Sequence, residues 1–104
     1  MNPTELSRRY MEKKGYVVAN VEKYNHITKR KNDLFGFIDL LCLGWDEVIG
    51  IQTTSLSNVS ARVKKITDHE NVGAVRKAGI GIFVHGWSMP KGKHRYEVKE
   101  IDLS

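Results

Sequence analysis

The sequence predicts a mixed α/β domain: a central sheet with helices on its faces, in the order α-β-β-β-α-β-β. Three observations predict it. A capped amphipathic stretch opens the chain, two strongly apolar runs follow at residues 35–43 and 48–54, and a helical stripe then separates them from two further strand-like runs. The length of 104 residues suits one domain over 1–104 with one core and leaves room for a homodimer.

Each element follows from local chemistry. Asn2-Pro3-Thr4-Glu5 is a helix start, with Asn2 as cap and Pro3 in the first turn. Leu6, Tyr10 and Met11 form its apolar stripe, and Gly15 stops it. Residues 16–24, rich in Val and Tyr, read as a first strand. The polar, basic stretch 25–33 reads as a loop. Residues 35–43 and 48–54 read as two strands buried on both faces, joined by a hairpin turn at 44–47. Ser57 or Asn58 caps the next helix, with Val59, Val63 and Ile66 as its stripe. Asp68 caps a further short helix ended by Gly79. Residues 80–87 and 95–101 complete the sheet.

The charge is uneven. The net is +5, but residues 32–57 hold four acids and no Lys or Arg, while the segments on either side are basic. An acidic middle between basic flanks is what a cation site bordered by a phosphate-binding surface would show; a polar hairpin turn would show it too. No apolar run approaches the ~20 residues of a membrane span, so the sequence predicts no membrane contact. With no apolar signal core at its start and a single cysteine, Cys42, the expected compartment is the cytoplasm. Four scattered histidines show no zinc spacing, and Gly79-Ile80-Gly81 precedes a strand, so it is no dinucleotide fingerprint.

Asp39 is the residue that demands explanation. A carboxylate inside Phe37-Ile38-Asp39-Leu40-Leu41 is costly to bury without a partner. If 44–47 is the turn, paired residue numbers sum to 91, so Leu43 faces Val48 and Asp39 faces Gln52. Thr54 lies on the same face two residues on. Two converging oxygens beside basic loops suit a hard cation such as Mg²⁺; a buried hydrogen bond that fixes the register would use the same pair.

The stretch Asp33-Leu-Phe-Gly-Phe-Ile-Asp39, the thirteen-residue step to Gln52, and Ile51-Gln52-Thr53-Thr54-Ser55 resemble PD-(D/E)XK nucleases, in particular small phage and bacterial nuclease-like proteins and Holliday-junction resolvases. The resemblance covers nearly the whole chain. It implies a restriction-endonuclease-like domain that hydrolyses DNA phosphodiesters with Mg²⁺ (or Mn²⁺), free of any membrane, in a bacterium or phage-infected cell. By that resemblance Asp39 is the metal-binding Asp, Gln52 stands where an acid usually stands, the Thr53 carbonyl could touch the ion, and Glu5 could be the helix-borne acid. Thr54 stands in place of the usual Lys, which Lys31 or Lys65 would have to replace. If neither does, the implied protein is a DNA-binding relative that does not cut. Lys29, Arg30 and Lys31 before Asp39, and Arg62 and Lys65 on the following helix, are the candidate phosphate contacts; solvated surface charge is the plainer account of both groups.

Overall fold

The computed structural model describes residues 1–104. Helix α1 (Pro3–Lys13) starts as expected: the Asn2 side chain accepts from the Glu5 amide at 2.8 Å, with Pro3 at the first helical position. It ends before Gly15, whose φ of +97° is costly for any residue with a Cβ. Then come β1 (Val17–Asn20), β2 (Lys23–Asn25), β3 (Arg30–Asn32), β4 (Leu40–Leu43), β5 (Val48–Ser55), α2 (Val59–Thr67), α3 (Val72–Lys77), β6 (Ile80–Ser88) and β7 (Glu97–Asp102). A single turn of 3₁₀-helix, Leu56–Asn58, leads into α2.

The main sheet has the order β1-β4-β5-β6-β7. It is mixed: β5 and β6 run parallel and the other pairs antiparallel. Helices α2 and α3 provide the crossover that a parallel pair requires. Successive residues of β5 serve opposite faces. Ile49 and Ile51 join Met11, Leu40 and Cys42 beneath α1. On the other face Phe37, Ile38, Ile82 and Val84 pack with Val59, Ile66 and Val75 from α2 and α3. A helix layer on each face and the mixed sheet between them are the predicted α/β architecture. No helix of the structure is long and apolar enough to cross a membrane.

Five sequence expectations are corrected. The first strand does not run through 16–24. It stops at Asn20, whose side chain accepts from the Glu22 amide at 2.9 Å and turns the chain out of the sheet. The stretch 25–33 is not a plain loop, because Arg30–Asn32 pairs with Lys23–Asn25 in a separate two-stranded ribbon. The run 35–43 is extended only from Leu40 onward. Phe35 and Gly36 have φ of +55° and +90°, which extended backbone cannot contain. Gly36 also meets the His69 ring so closely that an added Cβ would lie 2.2 Å from His69 Nε2. The Gly inside the apolar run was the signal of this break. Further on, Asp68 closes α2 rather than opening α3, which begins after Asn71. Neither Ser57 nor Asn58 makes a side-chain capping bond to α2. Their side chains bond to Ser55 instead, at 3.2 and 3.1 Å.

Candidate metal centre and phosphate-binding cleft

The β4–β5 ladder runs from Leu43↔Val48 to Leu40↔Ile51, the register expected from a turn at 44–47. It ends one residue short of Asp39. The Asp39 amide donates to the Ile51 carbonyl at 2.8 Å, and its carbonyl accepts from the Val21 amide at 2.9 Å. Asp39 therefore sits at the end of the sheet rather than within a regular pair. Its side chain still meets Gln52, whose Nε2 donates to Asp39 Oδ2 at 2.7 Å. The same oxygen accepts from the Thr53 amide at 2.8 Å and the Thr53 hydroxyl at 3.1 Å. All three bonds fall on Oδ2, so Oδ1 takes no donor from the chain.

The turn missed in the sequence completes the site. Leu34 and Ile38 form an isolated antiparallel bridge, which folds residues 33–39 back on themselves. Asp33 and Asp39 flank that bridge and so lie side by side. Glu22 arrives from the chain leaving β1. Carboxylate oxygens of Glu22, Asp33 and Asp39 all lie within 4.8 Å of one another. Glu22 and Asp33 keep only 15% and 13% of their side-chain surface exposed, and Asp39 is buried. Three acids so placed repel one another in the absence of a cation. Burial pushes the Asp39 carboxyl up to about 7; the Thr53 amide opposes that rise, and neighbouring Asp33 adds to it.

Two hydroxyls tie the acids to α1. Thr4 Oγ1 lies 3.2 Å from Glu22 Oε1 and 2.8 Å from Thr53 Oγ1, which in turn bonds Asp39. These three contacts have two hydroxyl protons to share.

An ammonium also enters the site, from Lys65. It reaches in from α2, with Nζ 3.1 Å from Gln52 Oε1 and 3.3 Å from Asp33 Oδ2. Electrostatics then orients Gln52: its amide oxygen faces the ammonium and its NH₂ faces the carboxylates. As oriented, Gln52 is a donor to Asp39 rather than an oxygen ligand. The acids beside Asp39 are Asp33 and Glu22, which come from elsewhere in the chain.

These groups line a polar cleft of about 660 Å³ without a hydrophobic side chain on its walls. Its rim carries Lys31, Arg62, Thr54 and the start of α1, Glu5 included. Lys31 Nζ lies 3.9 Å from Glu22. Of the five candidate phosphate contacts, Lys31, Arg62 and Lys65 line the cleft, and Lys29 and Arg30 stand on the ribbon beyond it. Glu5 lines the cleft but lies outside the acid cluster; Arg8 and Arg9 engage its carboxylate and hold it below its ordinary value, Arg8 most strongly.

Sequence reasoning missed Glu22 and Asp33. Asp33 left a trace, since an acid six residues before Asp39 with Gly36 between them is a turn pattern. Glu22 left only Asn20 before it as a chain-reversal signal.

Comparison of the chain with protein-family models, with curated proteins and with solved structures gave no match.

The donor set fits a hard divalent cation. It offers carboxylate oxygens from three segments, a free Oδ1 on Asp39, and space in the cleft for the waters that Mg²⁺ retains.

Proposed function

We propose that this protein is a metal-dependent DNA endonuclease of the PD-(D/E)XK type. The observation that carries the reading is the convergence of Glu22, Asp33 and Asp39 with the ammonium of Lys65 in a cleft rimmed by Lys31 and Arg62. Asp39, Asp33 and Glu22 would hold Mg²⁺ or Mn²⁺. A divalent ion held there would supply Lewis-acid stabilisation of phosphoryl charge and a more acidic bound water.

The chain's own residues divide the remaining work. Lys31 and Arg62 are placed to hold backbone phosphates at the rim. Lys65, three residues from Arg62 on the same helix face, adds positive charge where the transition state gains negative charge. Gln52 and the Thr53 amide fix the Asp39 carboxylate, so that Oδ1 is presented to the cleft. The Thr4 and Thr53 hydroxyls hold Glu22 and Asp39 at a set separation.

A second reading, a DNA-binding protein that does not cut, is favoured by one contact: Lys65 is already engaged by Asp33 and Gln52. In either case the proposal puts the protein in the cytoplasm of a bacterium or of a phage-infected host cell, where the buried free thiol of Cys42 would stay reduced. Cutting both strands in one encounter would call for a homodimer.

The test is cleavage of branched and linear DNA in Mg²⁺, in Mn²⁺ and in EDTA. Cutting in either metal that stops in EDTA supports the nuclease. Salt-sensitive binding that persists in EDTA, with no cutting in any condition, supports the second reading.

A further inference from the structure

Strands β2 and β3 belong to no other sheet; their only partners are each other. Of residues 23–32, all but Asn25 are exposed. A lone two-stranded hairpin is marginally stable in water, and no apolar layer lies over this one. Its tip is tied by the Asn25 side chain, which accepts from the amides of Ile27 at 2.9 Å and Thr28 at 3.2 Å. Lys29 then takes a φ of +57° to close the turn. Ile27, at the apex, is 93% exposed. Holding a bare isoleucine at the end of an unsupported ribbon contributes nothing to the core.

The ribbon's charge indicates what it meets. Lys23, Lys29, Arg30 and Lys31 lie within ten residues that contain no acid. Tyr24 stands opposite Lys31, with His26 edge-on to its ring at 4.9 Å between centroids. Lys31 is also part of the cleft wall, so the ribbon rises directly beside the acid cluster. The apex lies four residues from Lys31, a reach of at most about 13 Å, shortened by the turn at 26–29. A two-stranded ribbon is narrow enough to enter the major groove of DNA.

We propose that the 23–32 hairpin is a DNA-engaging arm whose basic residues hold backbone phosphates while Ile27 wedges between bases next to the cleft. The proposal rests on the DNA reading above and names its substrate class. Apolar wedges on minor-groove proteins unstack base steps at a cost of a few kcal/mol per step. The cost is least where a base is already mismatched or unpaired. An arm of this kind therefore favours branched or mismatched duplex over intact duplex.

The experiment is a fluorescence titration of the full chain in EDTA, using intact, mismatched and four-way-junction DNA with 2-aminopurine placed at successive steps. Wild type is expected to raise the fluorescence at one or two positions and to bind junction or mismatched DNA roughly 10-fold or more tightly than intact duplex. Ile27→Ser should abolish both effects while keeping intact-duplex affinity within roughly 3-fold, because phosphate contacts carry that term. Its far-UV circular dichroism should match wild type, since the side chain touches no core. Replacing Lys29, Arg30 and Lys31 together by Ala should reduce the salt slope by up to about 3.

No fluorescence rise at any position, or a rise that survives Ile27→Ser, overturns the arm. Cleavage is scored separately in Mg²⁺. Unstacking without cutting leaves the arm standing and sinks the nuclease; cutting without unstacking does the reverse. Failure to bind any of the three DNAs overturns both.

Discussion

Two polar clusters are buried against the same sheet, and they are built in opposite ways. On the α1 face, Ser7, His85 and Trp87 form a closed chain. The Trp87 indole donates to Ser7 Oγ at 2.8 Å, and Ser7 Oγ lies 2.9 Å from His85 Nδ1. His85 Nε2 lies 3.2 Å from Glu100, so its proton belongs there, and Nδ1 accepts from Ser7. Burial holds His85 down to about 4, with Glu100 opposing that shift. Ser7 and His85 are fully enclosed. A Ser, a His and a Glu in a row resemble a nucleophilic triad in name only: nothing can reach Ser7. At the end of the sheet the other cluster holds like charges together, leaves Asp39 Oδ1 without a donor, and opens on a cleft. The closed cluster satisfies every polar atom internally. The open one keeps its acids beside a cleft with room for a group from outside.

That contrast is sharpest at Asp39. Asp39→Asn keeps the shape and removes the charge that holds a cation. Cleavage should fall by three orders of magnitude or more, as expected when a metal's action is lost. Folding should survive, because one of three repelling acids is gone. Steady-state cleavage and a thermal melt measure the two effects; a variant that cuts normally removes Asp39 from the chemistry.

Lys65 comes next. Lys65→Ala should lower the cleavage rate by about 10²-fold, the usual effect of losing one electrostatic contact to the transition state. Adding Thr54→Lys to that variant should recover part of the rate, since it returns an ammonium to the cleft from β5. A rate indifferent to Lys65 would leave its contacts with Asp33 and Gln52 as purely structural.

The closed cluster should respond in the opposite sense. Ser7→Ala strands the Trp87 N–H and His85 Nδ1 in an apolar site, which costs about 1–3 kcal/mol of stability. Urea unfolding measures it, and cleavage per folded molecule should not change. If activity fell while stability held, the two clusters would not be separate.

The smallest effect is in pH. The unfolded chain binds the His85 proton at its ordinary value of 6.5, whereas the folded chain resists down to about 4. The unfolded state therefore holds more protons between these values. Stability conferred by neutral His85 is complete above 6.5 and declines as the pH falls toward 4. Groups facing the ring are Glu100, Lys14, Ser7 and Tyr10. Melting wild type and His85→Gln across pH 4–7 should show a shallower acid slope in the variant; equal slopes would assign the acid sensitivity to other groups.

Part of the site could be read along the chain and part could not. The 44–47 turn set the β4–β5 register correctly, because hairpin pairing is local and its numbers sum to a constant. It thereby brought Asp39 to Gln52. The candidate replacement of the missing lysine by Lys65 was also within reach, since a helix starting just after β5 must run back over that strand's face. Glu22 and Asp33 were not legible. Both were assigned to strand or loop, and their approach depends on two departures from regular structure: the exit of the chain at Asn20 and the Leu34–Ile38 bridge.

By itself, then, the sequence determined the helix caps, the apolar runs, the strand register and the presence of an expensive carboxylate at Asp39. These rest on neighbours a few residues apart, where periodicity and turn chemistry act. Tertiary structure decided which acids share the site, where its ammonium comes from and which way Gln52 faces. Those outcomes depend on charges meeting across separations of 6 to 43 residues between Glu22, Asp33, Asp39 and Lys65. Coulomb interactions follow distance in space rather than distance along the chain.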